Sequence, residues 1–149
     1  MNFQDQLNSK LKAAMREKNK VALESLRAIK SAILLLQTQS GAKETPDDAE
    51  ITKLLQKLVK QRKESASIFR EQGRVDLAEP EEAQIEIISQ FLPEQLSAEE
   101  VERVIDEVIQ SVGATTMKDM GKVMGMANKQ LAGKADGKLI AEIVKKRLA

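Results

Sequence analysis

An all-α fold is predicted by three features of the sequence. Apolar residues recur at alternating spacings of three and four along nearly every segment, as one face of a helix requires. The apolar alphabet is Leu, Ile, Val, Ala and Met, with only Phe3, Phe69 and Phe91 as aromatics, a composition that suits packed helices better than sheets. No stretch sustains the alternation of a half-buried strand. The expected architecture is an N-terminal four-helix part made of two helical hairpins over residues 1–92, a hinge at residues 93–96, and a small three-helix domain over residues 97–149.

Phe3, Leu7, Leu11, Ala14 and Met15 form the stripe of a first helix, which ends in the basic, polar run Arg16-Glu-Lys-Asn-Lys20. Ala22, Leu26, Ile29, Ile33 and Leu36 give a second helix a two-heptad seam. Gly41–Asp48, with Gly41 and Pro46, is expected to be a mobile loop. A long helix should follow from about Asp47 to Gln72, with Ile51, Leu54, Leu55, Leu58, Ser65, Ile68 and Phe69 on one side and Lys53, Lys57, Lys60, Arg62 and Lys63 crowding its middle. Gly73 is its stop. Asp76-Leu-Ala-Glu79 reads as the capping box of a fourth helix, with Asp76 as N-cap and Pro80 in the first turn. Ile85, Ile88, Phe91 and Leu92 continue that stripe.

Pro93 disfavours helix for the residue before it and marks the domain boundary. Ser97-Ala-Glu-Glu100 is a second capping box, opening a helix whose face is Val101, Val104, Ile105, Val108, Ile109 and Val112 and whose stop is Gly113. Thr116-Met-Lys-Asp119 should cap the next helix, ending near Gly133. Asp136 caps the last, with Ile140, Ile143, Val144 and Leu148 facing inward.

The residues that are missing limit the chemistry. The chain has no His, Cys, Trp or Tyr, which removes disulfides, thiol and imidazole catalysis and most structural zinc sites. No catalytic residue, metal site or cofactor is expected. The acidic pairs Glu81-Glu82 and Glu99-Glu100 read as helix first-turn residues that favour the dipole, not as an acid–base couple. Met1-Asn-Phe-Gln-Asp-Gln-Leu7 does not resemble a signal peptide, and the longest apolar run, Ala32–Leu36, falls far short of the ~20 residues of a membrane span. A cytoplasmic location and no membrane partner are the expectation.

Charge is unevenly spread. Residues 113–149 hold 8 Lys+Arg against 3 Asp+Glu, while residues 1–112 hold 16 against 20. This polarity directs any nucleic-acid surface to the C-terminal end. There, Gly121, Gly125, Gly133 and Gly137 punctuate a helical pattern, three of them followed by lysine. Gly133 fits a C′ cap, and Gly137 follows the Asp136 cap. Gly121 and Gly125 lie on one helical face, each costing about 1 kcal/mol against alanine. Close approach is the compensation expected, first of another helix and otherwise of a ligand backbone. Lys118, Lys122 and Lys129 are expected on one face, with Lys134 and Lys138 flanking the turn. The phosphate-loop pattern of nucleotide-binding proteins is absent, and no aromatic residue interleaves with these lysines, so contacts would be to phosphate, sugar and shape rather than stacked bases. Met120 and Met124 read as core, and Met126 as an exposed position able to touch a partner.

Four ordered blocks carry a family resemblance: Gly73-Arg-Val-Asp-Leu77, Phe91-Leu-Pro-Glu-Gln-Leu-Ser97, Asp119-Met-Gly-Lys-Val-Met-Gly125 and Gly133-Lys-Ala-Asp-Gly137. On these the chain resembles the GatB/YqeY family, and looks like a free-standing YqeY-type protein. The resemblance implies an all-helical, two-part fold and a link to tRNA-dependent amidotransferases, in which a similar domain forms the tail of the B subunit and contacts tRNA. A related module is appended to some glutaminyl-tRNA synthetases. It therefore implies tRNA as partner, with an amidotransferase or aminoacyl-tRNA synthetase as a further one, and places the tRNA-facing candidates at Lys122, Lys129, Gly133, Lys134, Gly137 and Lys138. Lys118 joins them from the charge pattern alone. The family's catalytic parts do not carry over, so a label of carbon–nitrogen ligase with glutamine as amido-N-donor would reach this chain by association only. A protein-interaction module of a translation-related complex is the alternative reading.

Overall fold

The computed structural model describes residues 2–39 and 46–149, and among these residues all regular structure is helical. The chain divides into two compact units, Met1–Leu92 and Pro93–Ala149. Of the expected loop Gly41–Asp48, residues 41–45 lie outside the described residues.

The first unit holds α1 (Phe3–Glu17), α2 (Lys20–Gln39), α3 (Asp48–Glu71) and α4 (Val75–Ser89). Asn2 and Asp47 cap α1 and α3, each accepting a backbone N–H three residues on at 2.8 Å. Asn19 does the same for α2 at 3.1 Å. Leu7, Leu11, Leu26, Ile29, Leu55 and Ile88 are among the residues that close the core between these helices. Each such side chain gains about 1.5–3 kcal/mol on leaving water. The rings of Phe3 and Phe91 meet edge to face at 5.4 Å, and the Lys10 ammonium sits 5.4 Å from the Phe91 ring centre, so the start of α1 is fastened to the chain just after α4. Ser25 is the buried polar residue among the described residues, and its hydroxyl donates to the Val21 carbonyl at 2.8 Å.

Beyond Val59 on α3 and before Ile85 on α4, the hairpin lies outside that core cluster. Buried Ala66 and Ala78 line this arm. Gly73 adopts φ +73° in its turn, and Arg74 donates its N–H back to the Phe69 carbonyl at 2.8 Å, a Schellman closure. Arg70 forks onto Glu82 at 2.6 and 2.7 Å, Arg74 onto Asp76 at 3.0 and 3.1 Å, and Arg62 donates to Gln84 at 2.9 Å.

Several sequence expectations are corrected here. Asp76 is not an N-cap: its carboxylate is held by Arg74, and α4 starts two residues earlier than that cap implies, at Val75, without a side-chain cap. Pro80 and the Glu81-Glu82 pair consequently lie inside α4 rather than in its first turn, and Pro80 leaves the Asp76 carbonyl without an i+4 donor. Ile68 is 52% exposed, because the arm has a single partner helix and the smaller Ala66 fills the contact. Met15 is 54% exposed, since Leu7, Leu11 and Ala14 already complete the narrow buried stripe of α1.

The second unit holds α5 (Ala98–Val112), a 3-10 turn (Met117–Asp119), α6 (Met120–Leu131) and α7 (Gly137–Leu148). Val101, Ile105, Val123, Ala127, Leu131 and Val144 are fully buried within its core. Ser97 caps α5 through the Glu100 N–H at 3.2 Å, and Gly113 closes it at φ +67°. Residues 93–96 belong to this unit: the Leu96 N–H donates to the Lys134 carbonyl at 2.9 Å, and the Gln95 amide donates to the carbonyls of Gly133 at 2.6 Å and Pro93 at 2.8 Å.

The packing makes Ile105 a sensitive position. It is fully buried, so Ile105→Ala should lower unfolding free energy by about 2–5 kcal/mol in urea titration. The α3–α4 turn should respond to acid instead. Arg70 holds the Glu82 carboxyl below its ordinary value, and Arg74 does the same for Asp76, in each case chiefly through the side-chain hydrogen bond. A carboxylate with a depressed folded-state pKa adds stability above its unfolded value and loses it as pH falls through the folded one. Amide protection factors at this turn, taken relative to the intrinsic exchange rate at each pH, should therefore fall on acidification below the usual carboxylate range, and Glu82→Gln should remove part of that dependence.

Candidate nucleic-acid interface

α6 begins after a closed capping box. Thr116 accepts the Lys118 N–H at 3.4 Å, and Asp119 accepts the N–H groups of Thr115 at 3.0 Å and Thr116 at 3.4 Å. This box builds a separate 3-10 turn and not the first turn of α6. Lys118 therefore does not share a continuous helical register with Lys122 and Lys129, contrary to what the spacing suggests; it sits on a turn that packs against both α6 and α7. Lys122 and Lys129, seven residues apart, do share one side of α6.

The buried side of α6 is Val123, Ala127 and Leu131. Met120, Met124 and Met126 are half-buried and packed on the same core, so Met126 is not the exposed contact expected. The other side of α6 carries Gly121, Lys122, Gly125, Asn128 and Lys129, all exposed. A methyl group added at Gly121 or Gly125 would meet nothing within 4 Å. The expectation that another helix packs against these glycines is thereby overturned. Asn128 lies on this open face although its segment offers no motif. The signal that could have found it is its position three residues beyond Gly125.

The bend after α6 is fixed by its own backbone. Gly133 adopts φ +75° and is buried, its carbonyl taken by Gln95. The Lys134 N–H donates to the Leu131 carbonyl at 2.9 Å, and its carbonyl accepts from Leu96. Gly133 thus shapes the bend and is itself withdrawn from the surface, whereas Lys134, Gly137 and Lys138 are exposed. Asp136 accepts the Lys138 N–H at 3.3 Å, so the start of α7 spends a backbone donor on its own cap. Lys145, exposed and seven residues beyond Lys138, lies on the same side of α7; that spacing was the sequence signal for a basic residue absent from the expected set.

Among the described residues, Lys118, Lys122, Lys129, Lys134 and Lys138 make no salt bridge. The contrast within the unit is sharp. α5 carries Glu99, Glu100, Glu102, Asp106 and Glu107 against Arg103 alone, and it is joined to α7 where Arg147 reaches Asp106 at 2.9 Å and Glu102 at 3.6 Å. α6, its leading turn and α7 form the basic half. With no aromatic ring after Phe91, this half offers ammonium groups and open backbone, suited to phosphate and sugar contacts.

No helix among the described residues is long and apolar enough to cross a membrane. The chain is 36% identical over 132 residues to the protein named Altered inheritance of mitochondria protein 41, mitochondrial, of Pyrenophora tritici-repentis, covering 87% of this chain and 71% of that one. A protein of the same name from Clavispora lusitaniae is 33% identical over 121 residues, 81% of this chain and 69% of its own length. A glutamyl-tRNA(Gln) amidotransferase subunit of Thermococcus gammatolerans is 47% identical over 57 residues, which make up 36% of this chain and 9% of that protein. Residues 4–148 match the family described as Yqey-like protein, and the chain belongs to that family.

Proposed function

We propose that this protein binds tRNA through the basic half of its second unit and serves as an accessory to tRNA-dependent amidotransferases or aminoacyl-tRNA synthetases, without an active site of its own. The observation that carries this reading is the open glycine face of α6 bordered by unpaired lysines. Two exposed helical glycines are costly when no described residue comes within 4 Å of the position a methyl would take. A ligand backbone drawn in by Lys122 and Lys129 supplies the approach that the fold does not. The likeness to an amidotransferase named for glutamyl-tRNA(Gln) supports a tRNA over other polyanions. A chain without cysteine suits a reducing compartment, the cytoplasm in this reading, and the relatives named as mitochondrial favour a mitochondrial role as the second.

Binding to unfractionated tRNA across a salt series tests the proposal. The logarithm of affinity should fall with the logarithm of salt at a slope of roughly −0.7 to −0.9 per phosphate neutralised. Replacing Lys122, Lys134 and Lys138 together by alanine should make that slope shallower by about 2 units, and an unaltered slope would sink the reading. Gly121→Ala and Gly125→Ala should each raise unfolding free energy by about 0.5–1 kcal/mol, because the added methyl meets only open space. The same changes should weaken tRNA binding, and unchanged affinity would show that the open face is not used.

A further inference from the structure

Across the chain the helices differ in how they treat their own dipoles. α1, α3, α4 and α5 carry Asp or Glu in the first turn, where the helix end is electropositive. α2, α6 and α7 carry none there, and each places a lysine in that turn instead: Lys20, Lys122 and Lys138. Two of these three lie on the surface proposed to face RNA. The third stands at the tip of the α1–α2 hairpin.

That tip departs from local preference a second time. Four described residues take left-handed backbone angles: Gly73, Gly113, Gly133 and Lys18, the last at φ 57°. Lys18 occupies the C′ position of a Schellman closure, with the Asn19 N–H donating to the Ala14 carbonyl at 3.0 Å. Glycine is the usual residue there, and a side chain strains it. Lys12, Arg16, Lys18 and Lys20 are all exposed, and among the described residues none of them forms a salt bridge. Glu17 is the one carboxylate between Lys12 and Lys20. Lys12 and Arg16, four residues apart on α1, lead into a turn that carries Lys18 and Lys20.

We infer that the α1–α2 tip, through Arg16, Lys18 and Lys20 with Lys12 behind them, is a second contact for the RNA backbone, made by the first unit. The inference rests on the tRNA reading above and extends it to a surface for which no family motif speaks. Lys18 opposes backbone preference and Lys20 opposes the dipole of α2, and positions where a cation goes against a local rule are where such rules yield to an external partner. The partner's charge is negative, and the absence of any aromatic residue at the tip leaves phosphate as its contact. Two contacts on separate units would raise affinity beyond either alone.

The test uses the full chain, unfractionated tRNA and a potassium chloride series. Lys18→Gly and Lys20→Glu both bring the tip into line with helix preference, so their melting temperatures should equal or exceed the parent's. Their tRNA dissociation constants should nonetheless rise about threefold or more, and Arg16→Gln/Lys18→Gln/Lys20→Gln should make the salt slope shallower by about 2 units. If the triple variant binds tRNA with unchanged affinity and slope, the inference is overturned while the α6–α7 reading stands. A parent chain that binds no tRNA would overturn both. Phosphatidylserine vesicles captured through these residues, with tRNA binding untouched, would make the tip a membrane contact and overturn the RNA assignment.

Discussion

With three phenylalanines and no other aromatic ring, this protein has to build its cores from Leu, Ile, Val, Ala and Met. Such side chains fill space only where helices approach along matched stripes, and every larger feature depends on that matching. In the first unit the stripes of α1 and α2 meet those of α3 and α4 around Ile29, Leu55 and Ile88. In the second, α5, α6 and α7 close around Ile105, Val123 and Val144. Because burial uses one side of each helix, the opposite sides are left to carry charge, and the candidate interface is built from those leftover sides.

The fold was largely legible because aliphatic periodicity is a direct image of burial. Ala22, Leu26, Ile29 and Ile33 form the buried seam of α2, and Val101, Ile105 and Val108 that of α5. The sequence misled where a residue had two partners to choose from. Asp76 followed by Glu79 has the spacing of a cap, but Arg74, two residues earlier, offers the carboxylate a two-pronged ion pair. A local pattern cannot weigh that competition. Ile68 continues the stripe of α3 into a stretch that has a single neighbouring helix, and periodicity does not report how many neighbours a helix has.

The candidate site was legible in composition more than in geometry. The lysines and glycines between residues 118 and 138 stand out by type and spacing. Their placement needed the three-dimensional arrangement. Gly133 and Gly137 look alike in sequence, but one is buried and bonded through its carbonyl while the other faces outward. Gly121 and Gly125 have the spacing of a helix-packing pair, and only the space beside them shows that no described residue lies within 4 Å of an added methyl. The Thr116 capping box is present as its spacing implies, but it builds a turn that takes Lys118 out of register with α6.

The division of charge inside the second unit bears on events before any contact is made. α5 holds a surplus of carboxylates and α6–α7 a surplus of ammonium groups, within one small bundle. Such an arrangement has a large electric dipole even though its total charge is close to zero. A polyanion diffusing toward it exerts a torque, turning the lysine side forward and the glutamate side away while the two are still about a Debye length, ~10 Å, apart. Near-neutral overall charge would keep the attraction from being indiscriminate, so the bundle would act less like a magnet than like a compass needle.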